Sequence, residues 1–209
     1  MMTAANKTLL ALAIVAAAAI GWYAWRILPG YFSTAAPNSE QNIVRVDPSD
    51  QIRGPSDAPK TIIEFGDLEC PTCAALDPQL ANLVAQTSDL RLAWKDCPSS
   101  SHPNAEAAAE AAQCAGDQHQ YWAYHDLLIQ NQDTLGPDLY PRLAAQLKLN
   151  AATFALCLKN GEKNAQVAAS INECVNVGVT ELPGLYVNGK LFSGADANII
   201  HELTTELNK

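Results

Sequence analysis

Two cysteines three positions apart, Cys70 and Cys73, are the residues of this chain best suited to do chemistry. A thiolate is a strong nucleophile, and a second thiol within reach can close a disulfide with it. The flanking residues say how the pair is presented. Thr61, Ile62, Ile63 and Phe65 are β-branched or aromatic and suit a buried strand. Pro71 suits the first position of a helix, where its missing N–H is no loss. Cys70 then falls at the helix N-cap, facing unpaired N–H groups and the positive end of the helix dipole, where a thiol loses its proton more readily. Cys73, within the first turn and more shielded, would resolve a mixed disulfide formed at Cys70. A lone CxxC also reads as half a zinc site, but zinc needs a second ligand pair, and the chain holds no other CxxC and no HxxxH. The expectation is therefore redox chemistry, with no metal.

Glu64 stands inside the apolar strand, six residues before Cys70, where a carboxylate is costly without a task. Pro78, five residues after Cys73, should kink the helix. Far downstream, Leu182-Pro183 precedes a strand-like run, Leu185-Tyr186-Val187, and an Asn188-Gly189 turn.

The elements that must hold these residues follow from periodicity. Ile43 to Val46 reads as a short edge strand, and Thr61 to Phe65 as the motif strand. The motif helix runs from Pro71 to about Gln86, and Leu90 to Asp96 reads as a parallel strand reached by a right-handed crossover. From Asn104 to about Asn176 the signals are helical only: an alanine- and glutamate-rich stretch from Ala105, apolar spacing over Tyr121–Asn131, a helix over Pro137–Leu149, one capped by Asn150 and closed at Gly161, and a last over Lys163–Asn176. Pro183–Val187 and Lys190–Ser193 form a hairpin, and Ala195–Leu207 a terminal helix. Tyr121 and Trp122 are expected in the core of the helical stretch, and His102 and His125 as structural hydrogen-bonding residues. Asp67 and Glu69 read as surface charges that oppose a thiolate at Cys70.

The formal net charge of −9 argues against nucleic acid, which calls for basic patches. Thr8 to Trp25 is an uncharged, mostly apolar run, close to the roughly 20 residues a spanning helix needs, with Trp22, Tyr23 and Trp25 as an aromatic belt. It reads as an uncleaved membrane anchor with the domain outside. A cleaved signal peptide is the rival, with a small-x-small site at Ser33–Ala35. Residues 1–28 are thus anchor or signal, 29–50 a linker, and 51–209 one domain. Six cysteines exceed what a reducing cytosol leaves for structural use, so the domain is expected outside the cytoplasm, in the periplasm or on the outer face of the membrane.

Three stretches resemble DsbA-like thiol–disulfide oxidoreductases of the thioredoxin superfamily: EFGDLECPTC, HPNAEAAAEAAQCAGDQHQYWAYHDLL and GVTELPGLYVNG. The resemblance implies an α/β thioredoxin-like fold with an all-helical insert at about 103–176. It implies Cys70 and Cys73 as the redox pair with no other cofactor, Glu64 as a buried acid that passes a proton to and from Cys73, and Pro183 as the cis-proline facing the motif. Pro71, Thr72 and Leu182 would meet the substrate. It further implies an oxidant of exported cysteine-containing proteins, recharged by a membrane redox partner. A reductase, an isomerase, or a non-catalytic binding or metal-holding module of the same fold are the alternatives. Pro71-Thr72 lacks the histidine of DsbA, which implies a weaker oxidant, and Leu182 replaces the usual threonine or valine. Some members carry a second disulfide in the insert, which implies Cys114–Cys157. The resemblance offers no pairing for Cys97 and Cys174.

Overall fold

The computed structural model describes residues 22–23, 44–193 and 196–209. Residues 42–209 cluster as one compact unit. In the preceding unit, Trp22 and Tyr23 are helical and exposed, and the rest of the expected anchor and linker up to residue 43 lies outside the described residues. Among the described residues no helix is long and apolar enough to cross a membrane.

Five strands form one mixed sheet: β1 (Gln51–Arg53), β2 (Lys60–Gly66), β3 (Leu90–Asp96), β4 (Gly184–Val187) and β5 (Lys190–Ser193), in the order β1-β3-β2-β4-β5. The motif strand β2 is central. It pairs parallel with β3, Glu64 opposite Trp94, and antiparallel with β4, Glu64 opposite Leu185. Helix α1 (Pro71–Gln86) is the crossover between β2 and β3 and runs through Pro78 without a break. The insert is α2 (Ala105–Gly116), α3 (Tyr121–Gln130), α4 (Leu139–Gln146), α5 (Ala151–Asn160) and α6 (Asn164–Asn176); α7 (Ile199–Leu207) ends the chain. The fold is thioredoxin-like with an all-helical insert, as the resemblance implied.

Side chains alternate across β2, and the two faces meet different partners. Ile62 packs with Leu76, Leu80 and Val84 of α1 and Leu203 of α7. Ile63 and Phe65 face the other way, toward Cys174 of α6. Glu64 shares the Ile62 face and so lies under α1. A third cluster fills the insert around Tyr121, Tyr124, Leu128 and Phe154, and Trp94 joins it to the sheet.

Local signals hold at several ends. The Asn150 side chain accepts from Thr153 N, and Gly161 closes α5 with φ +62°. At Gly66 a Cβ would meet the Trp94 ring at 2.2 Å, so only glycine fits where the strand leaves for the motif. Several bounds differ from expectation, two of them for a visible reason. Gln51–Arg53 forms the edge strand beside β3, opposite Leu92–Trp94, while in the expected Ile43–Val46 strand Val44 and Val46 pack onto the Ile63–Phe65 cluster without pairing and Ile43 lies outside the described residues. The terminal helix starts at Ile199 because Asp196 first makes a turn, accepting from Asn198 N and Ile199 N.

Candidate active site

Helix α1 begins with Cys70 at its N-cap. Cys70 Sγ accepts from Cys73 N at 3.4 Å and lies 2.9 Å from Thr72 Oγ1. The hydrogen bond from the Cys73 side chain, helped by Thr72 and the backbone N–H groups, brings the Cys70 thiol down to about 5 against the opposing effect of burial. Cys73 moves the other way. Its thiol proton is held by Cys70, it is fully buried, and the Cys70 and Glu64 charges disfavour a second anion there, so its pKa is raised. One turn of helix thus separates a thiolate from a protonated thiol. Cys70 is only 5% exposed, although disulfide exchange needs its sulfur within reach of a partner.

Thr72 reaches further. Its hydroxyl donates to the carbonyl of Leu182 at 3.0 Å, tying the motif to the segment before Pro183. The Leu182–Pro183 peptide bond is cis, and Pro183 is buried while Pro71 is exposed and Thr72 and Leu182 half-buried. Cys70, Cys73, Thr72, Leu182 and Pro183 therefore come together across 110 residues of chain.

Glu64 is fully buried, and neither carboxylate oxygen has a hydrogen-bond partner among the described residues. Burial first, then the charges of Asp77 and Cys70, raise its pKa well above the usual carboxylate range, with Arg53 opposing.

Asp67 and Glu69 are not loose surface charges. Asp67 is buried and accepts from Glu69 N (2.7 Å), Ser99 N (2.7 Å) and His102 Nδ1 (2.8 Å). That last bond raises the His102 pKa. Glu69 accepts from Asn104 N and Nδ2 at 2.6 and 2.8 Å, fastening the motif loop to the start of α2. Gln132, in a 3-10 turn of the insert, donates to the carbonyls of Leu68 and Cys70 at 2.8 and 3.1 Å. Nothing in the sequence around Gln132 announces that clamp.

The remaining cysteines pair as Cys114–Cys157, between α2 and α5, and Cys97–Cys174, between the end of β3 and α6. Cys97 N also donates to the Gly66 carbonyl at 2.8 Å, which puts this second bridge beside the strand that carries the motif.

A family model described as thioredoxin matches residues 47–204. Over 155 residues the chain is 36% identical to the Na(+)/H(+) antiporter NhaA 1 of Salinispora arenicola, covering 73% of this chain and 24% of that protein. The chain thus spans about a quarter of the length of the curated relatives it matches first. Among solved structures it is similar to BdbD from Bacillus subtilis (oxidised), with a TM-score of 0.66 and 24% identity over 77% of this chain and 94% of that one. The catalytic domain of Proteus mirabilis ScsC gives a TM-score of 0.69 and 20% identity, over 82% and 96%. These two likenesses are of fold.

Proposed function

Because the chain belongs to the thioredoxin family, we propose that it is an exported thiol–disulfide oxidoreductase that oxidises cysteines in other exported proteins through Cys70 and Cys73. The observation that carries this is the split between the two thiols: Cys70 brought down to about 5, Cys73 raised. A client thiolate attacks Cys70 Sγ of the Cys70–Cys73 disulfide, and Cys73 leaves as a thiolate that takes a proton from Glu64. The client's second thiolate then attacks its own sulfur in the mixed disulfide, and Cys70 leaves as a stable thiolate. A thiolate stabilised in this way makes the reduced form more stable and the disulfide more oxidising. The unpartnered carboxylate of Glu64 and its electrostatic coupling to Cys73 support its place as the proton carrier.

Thr72 lies beside Cys70 and bonds to Leu182, and together with Pro71 and Pro183 these residues would receive the client chain. The redox-active disulfide is the only cofactor this scheme needs, and a membrane redox partner would restore it. Two further disulfides favour an oxidising compartment. The Thr8–Trp25 run would tether the domain to the membrane, and a protein released by carbonate washing would remove that part of the proposal. The activity named for the antiporter relatives is that of much longer proteins, of which this chain matches about a quarter.

The test is a pair of variants. Cys73→Ala should leave Cys70 trapped in mixed disulfides with exported proteins, and Cys70→Ala should abolish trapping. Thiolate absorbance should place Cys70 near 5. A value at or above the free-thiol figure of about 8.5, with Cys73 doing the trapping, would sink the assignment.

A further inference from the structure

Each time the motif is reduced, Cys73 takes up one proton, and each time it is oxidised Cys73 gives one back. Both Cys73 and Glu64 are fully buried, so that proton needs a way to solvent. Seven of the eight buried polar side-chain atoms without a hydrogen-bond partner among the described residues belong to one seam beneath α1. They are Arg53 Nε, both Glu64 oxygens, Asp77 Oδ1, Tyr121 Oη, Trp122 Nε1 and His125 Nε2. Buried polar groups are ordinarily paired, and where several stand unpaired together internal water is the usual partner.

The seam has a direction. Asp77 lies four residues after Cys73 on α1, hence on the same helix face, and is 4% exposed. Its charge is the largest influence on Glu64 after burial. Asp77 Oδ1 is 4.0 Å from His125 Nδ1, and His125, fully buried on α3, places that same nitrogen 3.1 Å from Asp126 Oδ1. The Asp126 side chain is 38% exposed and pairs with Arg53 of β1, whose guanidinium covers the Trp122 ring at 4.2 Å. The other charged or titratable groups facing the seam are Tyr121 of α3 and Asp96 of β3, the latter engaged by Trp94 and Gln113. The rings of Trp94, Tyr121 and Trp122 pack around His125 and fix it.

We propose that Asp77 and His125 carry the proton between Glu64 and solvent, with Asp126 as the outer end of the route. The inference rests on the reading of Glu64 as the acid serving Cys73. When Cys73 Sγ attacks the Cys70 sulfur of a mixed disulfide, its proton passes to a Glu64 oxygen. The Cys70–Cys73 bond forms as the bond to the client breaks, and the client leaves as a thiolate. The proton on Glu64 moves to Asp77, directly or over one water. His125 Nδ1 takes the proton on Asp77 and passes it to Asp126. Asp77 and His125 are positioning residues here, acting through Glu64 and not on the sulfurs.

The experiment loads Cys70 of the folded protein with thionitrobenzoate and follows release of the coloured thiolate by stopped flow. It runs from about pH 5 to about pH 9, in H2O and D2O. In Asp77→Asn the inflection set by Glu64 should move to lower pH, because a like charge is gone. The plateau rate should fall about tenfold with a larger D2O effect. Asp126→Asn, at the rim, should slow release with the same rise in the D2O effect. Loss of packing alone would scale the rate equally at every pH and leave the D2O effect as it was. Wild-type rate, pH profile and D2O effect in both folded variants would overturn the route. Should Asp77→Asn not fold, Asp126→Asn decides by the same criteria. Slow release in Glu64→Gln with wild-type behaviour in the other two would remove the route but keep Glu64. Wild-type release in Glu64→Gln would remove Glu64, and the route with it.

Discussion

The Thr72 hydroxyl lies 2.9 Å from the Cys70 sulfur. It has one proton and two acceptors, because it also donates to the Leu182 carbonyl at 3.0 Å. While Cys70 is a thiol, its own proton can bridge to Thr72 and leave the hydroxyl on Leu182. Once Cys70 is a thiolate, the hydroxyl is drawn to the sulfur, since bonds to charged groups are the stronger ones.

Thr72→Val should therefore raise the Cys70 pKa by roughly one unit and make the motif disulfide less oxidising by roughly 30 mV. Thr72→Ser should restore both. Thiolate absorbance and equilibration with glutathione read the two quantities, and a Thr72→Val variant that titrates like wild type would remove Thr72 from thiolate stabilisation.

The Cys70 shift also makes stability depend on pH in the reduced form alone. A pKa lowered by folding contributes stability that is fully present above the unfolded value, about 8.5, and is lost as pH falls through the folded value, about 5. The reduced protein should gain stability relative to the oxidised one from pH 5 upward to about 8.5. Urea unfolding of both forms at the two ends of that window checks it, and a constant difference would contradict it.

Glu64 is raised by folding, so its sign is opposite. Its protonated form contributes stability that is present below about 4.5 and lost as pH rises through the folded value. As pH rises toward that value the wild type increasingly bears a buried carboxylate with no hydrogen-bond partner among the described residues. Glu64→Leu should then stabilise the protein by about 1–3 kcal/mol at neutral pH, and by less in acid. It should also slow release from mixed disulfides. Equal gains at both pH values would count against a partnerless, strongly raised carboxyl group.

Cys97 and Cys174 close a loop across 77 positions, for which chain-entropy arguments give about 4.5 kcal/mol. Replacing both with alanine should lower the urea midpoint accordingly, and peptide mapping of the oxidised protein should recover this bridge beside Cys114–Cys157. Free thiols at either pair would contradict the assignment.

The parts of the fold written locally were readable from sequence. β2 and α1 follow from a β-branched run and a proline at the first helical position, and α5 from Asn150 and Gly161 at its two ends. What depends on distant partners was not. The pairing of Cys97 with Cys174 is not legible in the sequence, because strand end and helix end meet only in three dimensions. Asp67 and Glu69 carried their charge in the sequence but not their partners, His102, Ser99 and Asn104. The edge strand is not legible either: the alternation of Val44 and Val46 is as strand-like as that of Gln51–Arg53, and the register against β3 decides. Asp77 had one usable signal: a carboxylate four residues after Cys73, between Leu76 and Leu80 on the buried side of α1.

The span between Thr72 and Leu182 also sets an order in time. Synthesised from the N-terminus, the chain presents Cys70, Cys73 and the first turns of α1 about a hundred residues before Leu182 follows. The N-cap needs only neighbours, so the thiolate can form early, within a few turns of helix. The Leu182 side needs β4 to pair with β2, a long-range step that comes late in folding. A half-made copy therefore has its reactive sulfur before it has the surface that chooses what the sulfur meets.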